Sequence, residues 1–231
     1  MDLERALQTT GAVRDFADHP VPDEVVFHIL DVARYAPSGG NRQAWKVILV
    51  KDQSAREKLR DLYLRGWYRY LAIRAAGLVP WAPITDRAAE AEAERAAENL
   101  AAEAAKGPGG MAENLDKVPA LLVLLADLKG LAAVDRDMPR YTMVGGASIY
   151  PFAWSILLAA HNVGIGGVFT TMLVSAEQEV LDILDVPEGW ALAGALALGY
   201  PEGGRRPTKL SRAEVATFAT VDRFDGPVLE G

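Results

Sequence analysis

The sequence predicts an α+β fold, a sandwich of helices and a central sheet, from three observations. Half of the 231 residues are apolar, which is enough to bury one sizeable core. Apolar runs of strand length are few, and long stretches separate them. Those stretches carry the spacing of amphipathic helices. Since no internal repeat is evident, we expect a single domain over residues 1–231.

The first elements are a helix, a glycine-rich loop and a strand. Apolar residues between 25 and 33 recur at helical spacing, and the pattern stops before Pro37. Residues 38–41 read Ser-Gly-Gly-Asn and predict a loop. Residues 45–50 form an apolar run rich in β-branched side chains, which predicts a buried strand.

A second helix and an acidic segment come next. Ser54 and Glu57 have the spacing of a capping box, so we expect a helix that begins there and continues to Tyr70. Residues 86–106 are mostly Ala and Glu, which are strong helix formers, and Gly-Pro-Gly-Gly follows at 107–110. This composition predicts an exposed helix on a hinge.

The middle of the chain predicts a strand and a long helical region. Residues 121–125 are a continuous apolar run, typical of a strand that is covered on both faces. A helical region is expected over residues 140–162, and Pro151 should kink or restart it because proline lacks a backbone donor. Residues 164–167, Gly-Ile-Gly-Gly, end this region and lead into residues 168–171.

The last third predicts one more helix, a core strand and a tail. Ser175 with Gln178 should open a short helix, and residues 190–198 form an apolar run that predicts a strand. After residue 210 the chain is polar, with scattered apolar side chains that include Phe218 and Phe224. Such a tail needs a surface on which to pack.

Composition excludes several classes of function. With no cysteine, the chain cannot use disulfides, thiolate nucleophiles or cysteine-ligated metals, so redox chemistry has to come from a cofactor. The net charge of −7 argues against nucleic acid as a partner. No apolar run approaches the roughly 20 residues of a membrane span, and the first residues lack the pattern of an export signal. We therefore expect a cytoplasmic protein that makes no membrane contact.

Common catalytic and nucleotide-binding motifs are missing. The Gly-Ile-Gly at 164–166 begins like a dinucleotide fingerprint, but Phe169 stands where its third glycine should be. No Walker A sequence and no nucleophile elbow are present. The three histidines, His19, His28 and His161, do not have metal-ligand spacing, so we expect no metal site.

Three separated segments resemble a known family. Residues 9–16 read Thr-Thr-Gly-Ala-Val-Arg-Asp-Phe, and residues 36–45 read Ala-Pro-Ser-Gly-Gly-Asn-Arg-Gln-Ala-Trp. Residues 199–201 read Gly-Tyr-Pro and are followed by the basic residues Lys209 and Arg212. Together with the central helix ending in Gly-Ile-Gly, these segments resemble the nitroreductase family of flavoproteins over almost the whole chain.

The resemblance implies a three-layer sandwich with a mixed or antiparallel central sheet, in an intertwined homodimer that binds FMN. It implies that NAD(P)H reduces the flavin through its N5 atom and that a small, aromatic electron acceptor then takes the place of NAD(P)H. The candidate catalytic residues are Arg14, beside flavin N1 and the C2 carbonyl, and Thr171. The residues expected to contact FMN are Arg14, Pro37, Ser38, Gly39, Gly40, Asn41, Gln43, Gly166, Gly167, Thr170, Thr171, Lys209 and Arg212.

Elementary chemistry explains why these residue types suit a flavin phosphate and ring. Arginine offers a planar fork to two phosphate oxygens, as Arg14 and Arg212 could, whereas Lys209 is a point charge. Glycines let the main chain approach a flat ring, and Asn41 offers that ring both a donor and an acceptor. Gly166, Gly167, Thr170 and Thr171 are expected over the opposite ring edge, where in the resembling proteins a backbone or hydroxyl donor bonds N5 and tunes the reactivity of the cofactor.

The chain also departs from the family pattern in two places. Residues 10–12 read Thr-Gly-Ala where many relatives have Arg-Arg-Ser, so Arg42 or Arg205 is the candidate for the missing phosphate contact. Trp154 and Ser155 stand where relatives often have Gln-Asn, which would reshape the surroundings of the ring.

The substrate side of the site is assigned to a helical lid over residues 62–116. Aromatic side chains near hinge glycines can stack on planar substrates and exclude water. The lid aromatics are Trp67, Tyr68, Tyr70 and Trp81.

The tail from about residue 210 is expected to wrap a second subunit. Three alternatives stay open: reductive dehalogenation of phenols, oxidative tailoring on the same scaffold, and a non-catalytic flavin sensor.

Overall fold

The computed structural model describes residues 2–204, 210–229 and 231. The helices over these residues are α1 (Leu3–Thr9), α2 (Asp23–Ala33), α3 (Gln53–Ala75), α4 (Arg87–Glu94), α5 (Ala97–Ala104), α6 (Tyr150–Asn162) and α7 (Glu177–Ile183). The strands are β1 (Trp45–Val50), β2 (Ala120–Asp127), β3 (Gly166–Thr170) and β4 (Trp190–Gly199). Lys209, one of the expected FMN contacts, and Arg205 lie outside the described residues.

The four strands form one antiparallel sheet in the order β1-β2-β4-β3. The two central strands are the most apolar and almost fully buried, as their continuous apolar runs predict. A register shift between Leu124 and Leu125 leaves Ala193 of β4 without a partner on β2, which is a β-bulge next to Gly194. The sheet leaves β1 and β3 as its two edges, which determines where the glycine-rich segments lie.

Helices cover both faces of the sheet, so the molecule has three layers and the predicted α+β sandwich is confirmed. On one face α2 and α6 pack through Ile29, Phe152 and Ile156 against Leu122 and Leu196. On the other face a second set of buried side chains joins α3 and α7 to the sheet; it includes Leu59, Leu62, Leu121, Val123, Leu173 and Val180. Each such side chain contributes roughly 1.5–3 kcal/mol when it leaves water.

The capping box predicted at Ser54 does not form. Helix α3 begins one residue earlier, at Gln53, because the Asp52 carboxylate accepts from the amide of Ala55 at 2.8 Å. The helix also continues to Ala75, beyond the expected end at Tyr70. Its buried stripe extends along this length, and that packing extends the helix past the limit that the sequence pattern suggested.

Two other helix starts differ from the sequence prediction. Ser175 donates to the Met172 carbonyl at 2.9 Å and does not cap α7, which begins at Glu177. Residues 140–143 are not helical, and a short 3-10 turn at Val144–Ser148 precedes α6. Pro151 lies in the first turn of α6, where its missing donor costs nothing, so proline starts the helix rather than kinking it.

The acidic segment is two short helices, and one of its carboxylates is not exposed. The break between α4 and α5 falls at residues 95–96. The side chain of Glu90 is almost fully buried, accepts from the amide of Trp81 at 2.7 Å and pairs with Arg87 at 3.1 Å. The prediction of an exposed helix is therefore wrong at Glu90. Its buried carboxylate accepts from two donors and anchors the segment.

Among the described residues after 210, the backbone hydrogen bonds join residues of the tail to one another. Thr220 and Val228 form an isolated bridge, and the amide of Leu229 donates to Ala219. Phe218 and Phe224 are 70% and 100% exposed. Separately, no helix among the described residues is long and apolar enough to cross a membrane.

Candidate functional site

The segment that follows α1 is attached to the β3 edge of the sheet. Ala12 forms a parallel bridge with Gly167, and the amide of Val13 donates to the Gly167 carbonyl at 2.9 Å. Beyond Arg14 the chain is held again, since the amide of Ala17 donates to the Tyr200 carbonyl at 2.8 Å. Arg14 is thus fixed by main-chain hydrogen bonds on both sides.

Gly166 and Gly167 make this attachment possible. A Cβ on Gly166 would lie 2.7 Å from Val13 Cγ2, and a Cβ on Gly167 would lie 2.4 Å from Leu198 Cδ2. Both distances are far inside van der Waals contact. The absence of side chains here is therefore required by the packing of the protein itself, whether or not a ligand approaches.

Arg14 lies between two adjoining clefts. The first, of about 590 Å³, is lined by residues 9–15, 164–167 and 201–204. The second, of about 620 Å³, shares Arg14, Asp15 and Glu202 with the first. Both volumes are within the roughly 300–1,000 Å³ that small-molecule and cofactor sites occupy. Arg14 is the shared cation, and acidic side chains flank it.

Arg212, the other arginine expected at a phosphate, is not brought to Arg14. It is exposed, its Nη1 donates to the carbonyl of Ser211 at 2.7 Å, and it lines neither cleft. The structure therefore does not bring the two arginines expected at the phosphate, Arg14 and Arg212, into one cleft.

Thr170 has two hydrogen-bond partners from elements around it. Its Oγ1 accepts from the amide of Met172 at 3.3 Å and lies 3.2 Å from the hydroxyl of Tyr63 on α3. Burial raises the pKa of Tyr63, while the hydrogen bond to Thr170 and the positive charge of Arg14 partly oppose that rise. Tyr63, Thr170 and Arg14 therefore form one electrostatically coupled group.

Sequence reasoning missed Tyr63. The signal that could have found it is helical spacing, since Tyr63 lies one turn before Trp67 on the same helix. The ring centroids of Tyr63 and Trp67 are 6.5 Å apart. A search for the aromatic residue preceding the predicted lid residues would have included it.

Thr171 faces a different cavity. It is exposed and lines a space of about 550 Å³ together with Arg69, Trp81, Tyr150 and Met172. Arg69 pairs with Glu94 of α4 at 2.9 Å, which ties α3 to the acidic segment beside this cavity. The two neighbouring threonines thus lie in separate environments, because β3 ends at Thr170 and the backbone turns at Thr171.

The structure brings three of the four lid aromatics together. Trp67 stacks on Tyr70 with centroids 5.5 Å apart, and Tyr70 lies 6.0 Å from Trp81. Tyr68 points elsewhere, and its hydroxyl donates to Glu113 at 2.9 Å. Burial, followed by that contact, raises the pKa of Tyr68 to about 12. Tyr68 belongs to the groove between α3 and α5 rather than to the aromatic row.

The Ser38–Gln43 loop is held by its own polar groups and by one long-range hydrogen bond. The amide of Gly39 donates to Ser148 Oγ at 3.0 Å, and the amide of Gln43 donates to Ser38 Oγ at 2.9 Å. Gly40 has a φ of 61°, the left-handed region that glycine adopts without strain. Most of the loop is exposed, and so is Pro37 before it.

This loop and Arg14 lie on opposite edges of the sheet. The loop leads into β1, whereas the Arg14 segment is bonded to β3, and two strands separate them. Three strand spacings of about 4.8 Å amount to roughly 14 Å. They also lie at opposite ends, since Trp45 pairs with Ala126 and Gly166 pairs with Gly199. One chain does not bring its two glycine-rich segments together.

The model of the nitroreductase family matches residues 9–200, from the Arg14 segment through the end of β4. The chain belongs to the nitroreductase family.

Relatives of this nitroreductase-family chain are distant in sequence and cover most of it. Iodotyrosine deiodinase 1 of Rattus norvegicus is 26% identical over 207 residues, which are 89% of this chain and 64% of that protein. The NADH dehydrogenase of Thermus thermophilus is 27% identical over 201 residues, 87% of each chain. The solved structure of iodotyrosine deiodinase bound to FMN and 3-iodo-L-tyrosine superimposes with a TM-score of 0.64 at 21% identity and covers 96% of this chain and 99% of that one. The family and these names place the chain among oxidoreductases.

The departures of this nitroreductase-family chain at residues 10–12 have a structural explanation. Thr10 is buried, and its hydroxyl donates to the Ala6 carbonyl at 2.7 Å, where it closes the end of α1. Thr9 donates in the same way to Arg5 at 2.6 Å. Both hydroxyls thus bond to carbonyls one helical turn earlier in α1. They are directed into α1 and not toward the first cleft's arginine, Arg14.

Proposed function

We propose that the chain is an FMN-dependent oxidoreductase that takes hydride from NAD(P)H and passes it to a small aromatic acceptor. The observation that carries the proposal is the position of Arg14. Main-chain bonds fix its segment at the sheet edge between two clefts of cofactor size, and its charge acts on Tyr63. A permanent cation on a segment that is fixed in advance suits an anionic cofactor.

The residues around Arg14 fit FMN. Residues 9–15 and 164–167 line the first cleft, and Arg14 offers a planar fork there. Gly166 and Gly167 keep that wall flat. When bound, FMN supplies the redox chemistry, and the chain binds it, orients it and excludes water. A charge-assisted contact of this kind contributes roughly 1.5–3 kcal/mol.

We further propose a homodimer in which the Ser38–Gln43 loop of one subunit completes the Arg14 site of the other. The loop is exposed and about 14 Å or more from the β3 edge of its own chain, if strand spacing is used as the scale. A two-fold symmetric dimer would contain two such sites, each made from the Arg14 segment of one subunit and the loop of the other. The exposed Phe218 and Phe224 of the tail suit wrapping around that second subunit.

The acceptor is proposed to bind in the cavity beside Thr171. Trp81 and Tyr150 line this cavity and offer aromatic faces to a planar ring. The α4 and α5 segment, within residues 62–116, is proposed to act as the lid, because Glu94 of α4 pairs with Arg69 of this cavity. Thr171 is exposed to this space, which agrees with a catalytic role at the reacting end of the cofactor.

A second candidate function is the reductive dehalogenation of phenols, and Arg69 favours it. Arg69 lines the same cavity as Thr171 and Trp81. Its partner Glu94 belongs to the proposed lid, so opening of the lid would free the guanidinium for a phenolate. The similarity to iodotyrosine deiodinase 1 agrees with this alternative.

The first experiment measures cofactor content. Purified protein should be yellow, release FMN on heating and bleach when NADH or NADPH is added under anaerobic conditions. Menadione, a nitroarene and a 3-iodophenol are then compared as oxidants of the reduced protein. Rapid reoxidation by the first two supports the main proposal, and iodide release supports the second. A colourless preparation that binds no added FMN would overturn both.

A further inference from the structure

The hydroxyl of Thr170 has a hydrogen-bonding capacity that its neighbours nearly exhaust. A hydroxyl has one hydrogen and two acceptor lone pairs. The amide of Met172 can only donate, so its contact with Oγ1 at 3.3 Å uses one lone pair. The hydroxyl of Tyr63 lies 3.2 Å from the same oxygen, and geometry alone allows either group to be the donor.

Burial decides the direction of this second hydrogen bond. Tyr63 is 3% exposed, and among the described residues Thr170 Oγ1 is the hydrogen-bond partner of its hydroxyl. If Thr170 donated instead, the phenolic hydrogen would be buried without an acceptor, which is costly. Thr170 is only half-buried on an edge strand, so its own hydrogen can reach solvent or a ligand. Donation from Tyr63 to Thr170 satisfies both groups.

Burial also keeps Tyr63 in the state that this arrangement needs. It raises the pKa of the phenol above its usual value near 10, so the hydroxyl is protonated at neutral pH. With Tyr63 and Met172 both donating to it, Thr170 Oγ1 has no lone pair left. Toward any ligand at the β3 edge, Thr170 is then a donor and not an acceptor.

We propose that Tyr63 is a positioning residue that keeps the Thr170 hydroxyl a hydrogen-bond donor toward flavin N5. This inference rests on the proposed function. In oxidised flavin N5 is an acceptor, and in reduced flavin it carries a hydrogen and needs an acceptor. A Thr170 that can only donate therefore favours the oxidised cofactor, so Tyr63 lowers the reduction potential of bound FMN.

The test is the reduction potential of FMN bound to variants, measured by equilibration with reference dyes. Tyr63→Phe keeps the ring and removes the donor, which frees a lone pair on Thr170. The potential should become more positive, equivalent to a change of about two- to tenfold in the ratio of FMN dissociation constants for the oxidised and reduced states. In a Thr170→Val background, Tyr63→Phe should cause no further shift.

A matched control is present on the same helix. Tyr68 is also buried, but its hydroxyl donates to Glu113 and not to Thr170. Tyr68→Phe should leave the potential unchanged, whereas an equal shift in this variant would overturn the proposal.

The outcomes separate this proposal from the proposed function. Wild-type protein that binds no FMN overturns both. If wild-type protein binds FMN but Tyr63→Phe leaves its potential unchanged, only the role of Tyr63 is overturned. The same holds if Tyr63→Phe shifts the potential by its full amount in the Thr170→Val background. Should Tyr63→Phe not fold, an unchanged potential in Thr170→Val overturns the proposal as well.

Discussion

The two glycine-rich segments of this chain use glycine for different physical reasons. In the Ser38–Gln43 loop, Gly40 turns the chain through a left-handed conformation, and a Cβ there would meet only the side chain of Arg42 at 3.5 Å. In β3, a Cβ on Gly167 would collide with Leu198. The first glycine meets a conformational need and the second a steric one.

The segments also differ in how much of a site each can make alone. The β3 segment is assembled within one chain, because residues 12–17 are bonded to it and Tyr63 packs behind it. The loop is exposed on the far edge of the sheet and is tied to the rest of the chain through Ser148. We therefore propose that a second copy of the chain unites the two segments at one cofactor.

Complementation between subunits should give the largest effect. We expect Arg14→Ala and Asn41→Trp each to bind FMN poorly, because each removes one half of the proposed site. When the two variants are unfolded and refolded together, half of the dimers are mixed, and each mixed dimer has one site with both halves intact. About a quarter of the sites should then bind FMN. Flavin bound per chain after gel filtration measures this.

The control is Arg14→Ala refolded with a chain that carries both substitutions, in which no site can be restored. If the first mixture binds no more FMN than the control, the two segments do not share a site.

Gly167→Ala should cost about 1–3 kcal/mol in the free energy of unfolding. The added methyl lies 2.4 Å from Leu198 Cδ2 and 2.9 Å from the Ala197 carbonyl oxygen, so the sheet has to distort. Gly40→Ala is the comparison, with about 1 kcal/mol expected from its positive φ. Urea unfolding of both variants measures the difference. Equal losses would mean that the steric contrast between the segments does not control stability.

Arg14→Ala should weaken FMN binding at least tenfold, since a charge-assisted contact contributes roughly 1.5–3 kcal/mol. Fluorescence quenching of FMN on titration with apoprotein measures the dissociation constant. Arg65→Ala is the control, because Arg65 is exposed and pairs with Glu179 away from the clefts. A matching loss in Arg65→Ala would point to a non-specific effect of net charge.

Ser148→Ala should have the smallest effect, about 0.5–1.5 kcal/mol in unfolding, because the amide of Gly39 loses its acceptor but remains near water. Ser54→Ala is the control and should change stability by less than about 0.5 kcal/mol, since Asp52 caps α3. A larger loss in Ser54→Ala than in Ser148→Ala would contradict both the cap and the loop anchor.

Elements that depend on local pattern were predictable, and their ends were less so. The core strands β1, β2 and β4 are long apolar runs, and α2 has clear helical periodicity. The starts of α3 and α7 were misjudged, because a Ser followed by Glu or Gln at capping distance occurs where another residue begins the helix. Whether a capping side chain is used depends on the backbone before it.

The candidate site was likewise only partly predictable from the sequence. Arg14, the Gly39 loop and Thr170 were predicted from short motifs whose residue types suit a phosphate and a ring, and they remain predictions. Tyr63 and the cavity partner Arg69 were not found. Helical spacing from Trp67 could have indicated Tyr63, but its contact with Thr170 and the place of Arg69 in the cavity depend on how α3 packs.

The sequence by itself determined the class of the fold, the family and the residue types available to a flavin site. These depend on periodicity, composition and short motifs, which act over a few neighbouring residues. Only the tertiary structure decided that the two glycine-rich segments lie on opposite edges, that Thr170 is hydrogen-bonded to Tyr63, and that Glu90 is buried. The physical reason is that strand order and helix packing join residues far apart in the chain, and no local pattern specifies which edge a segment will join.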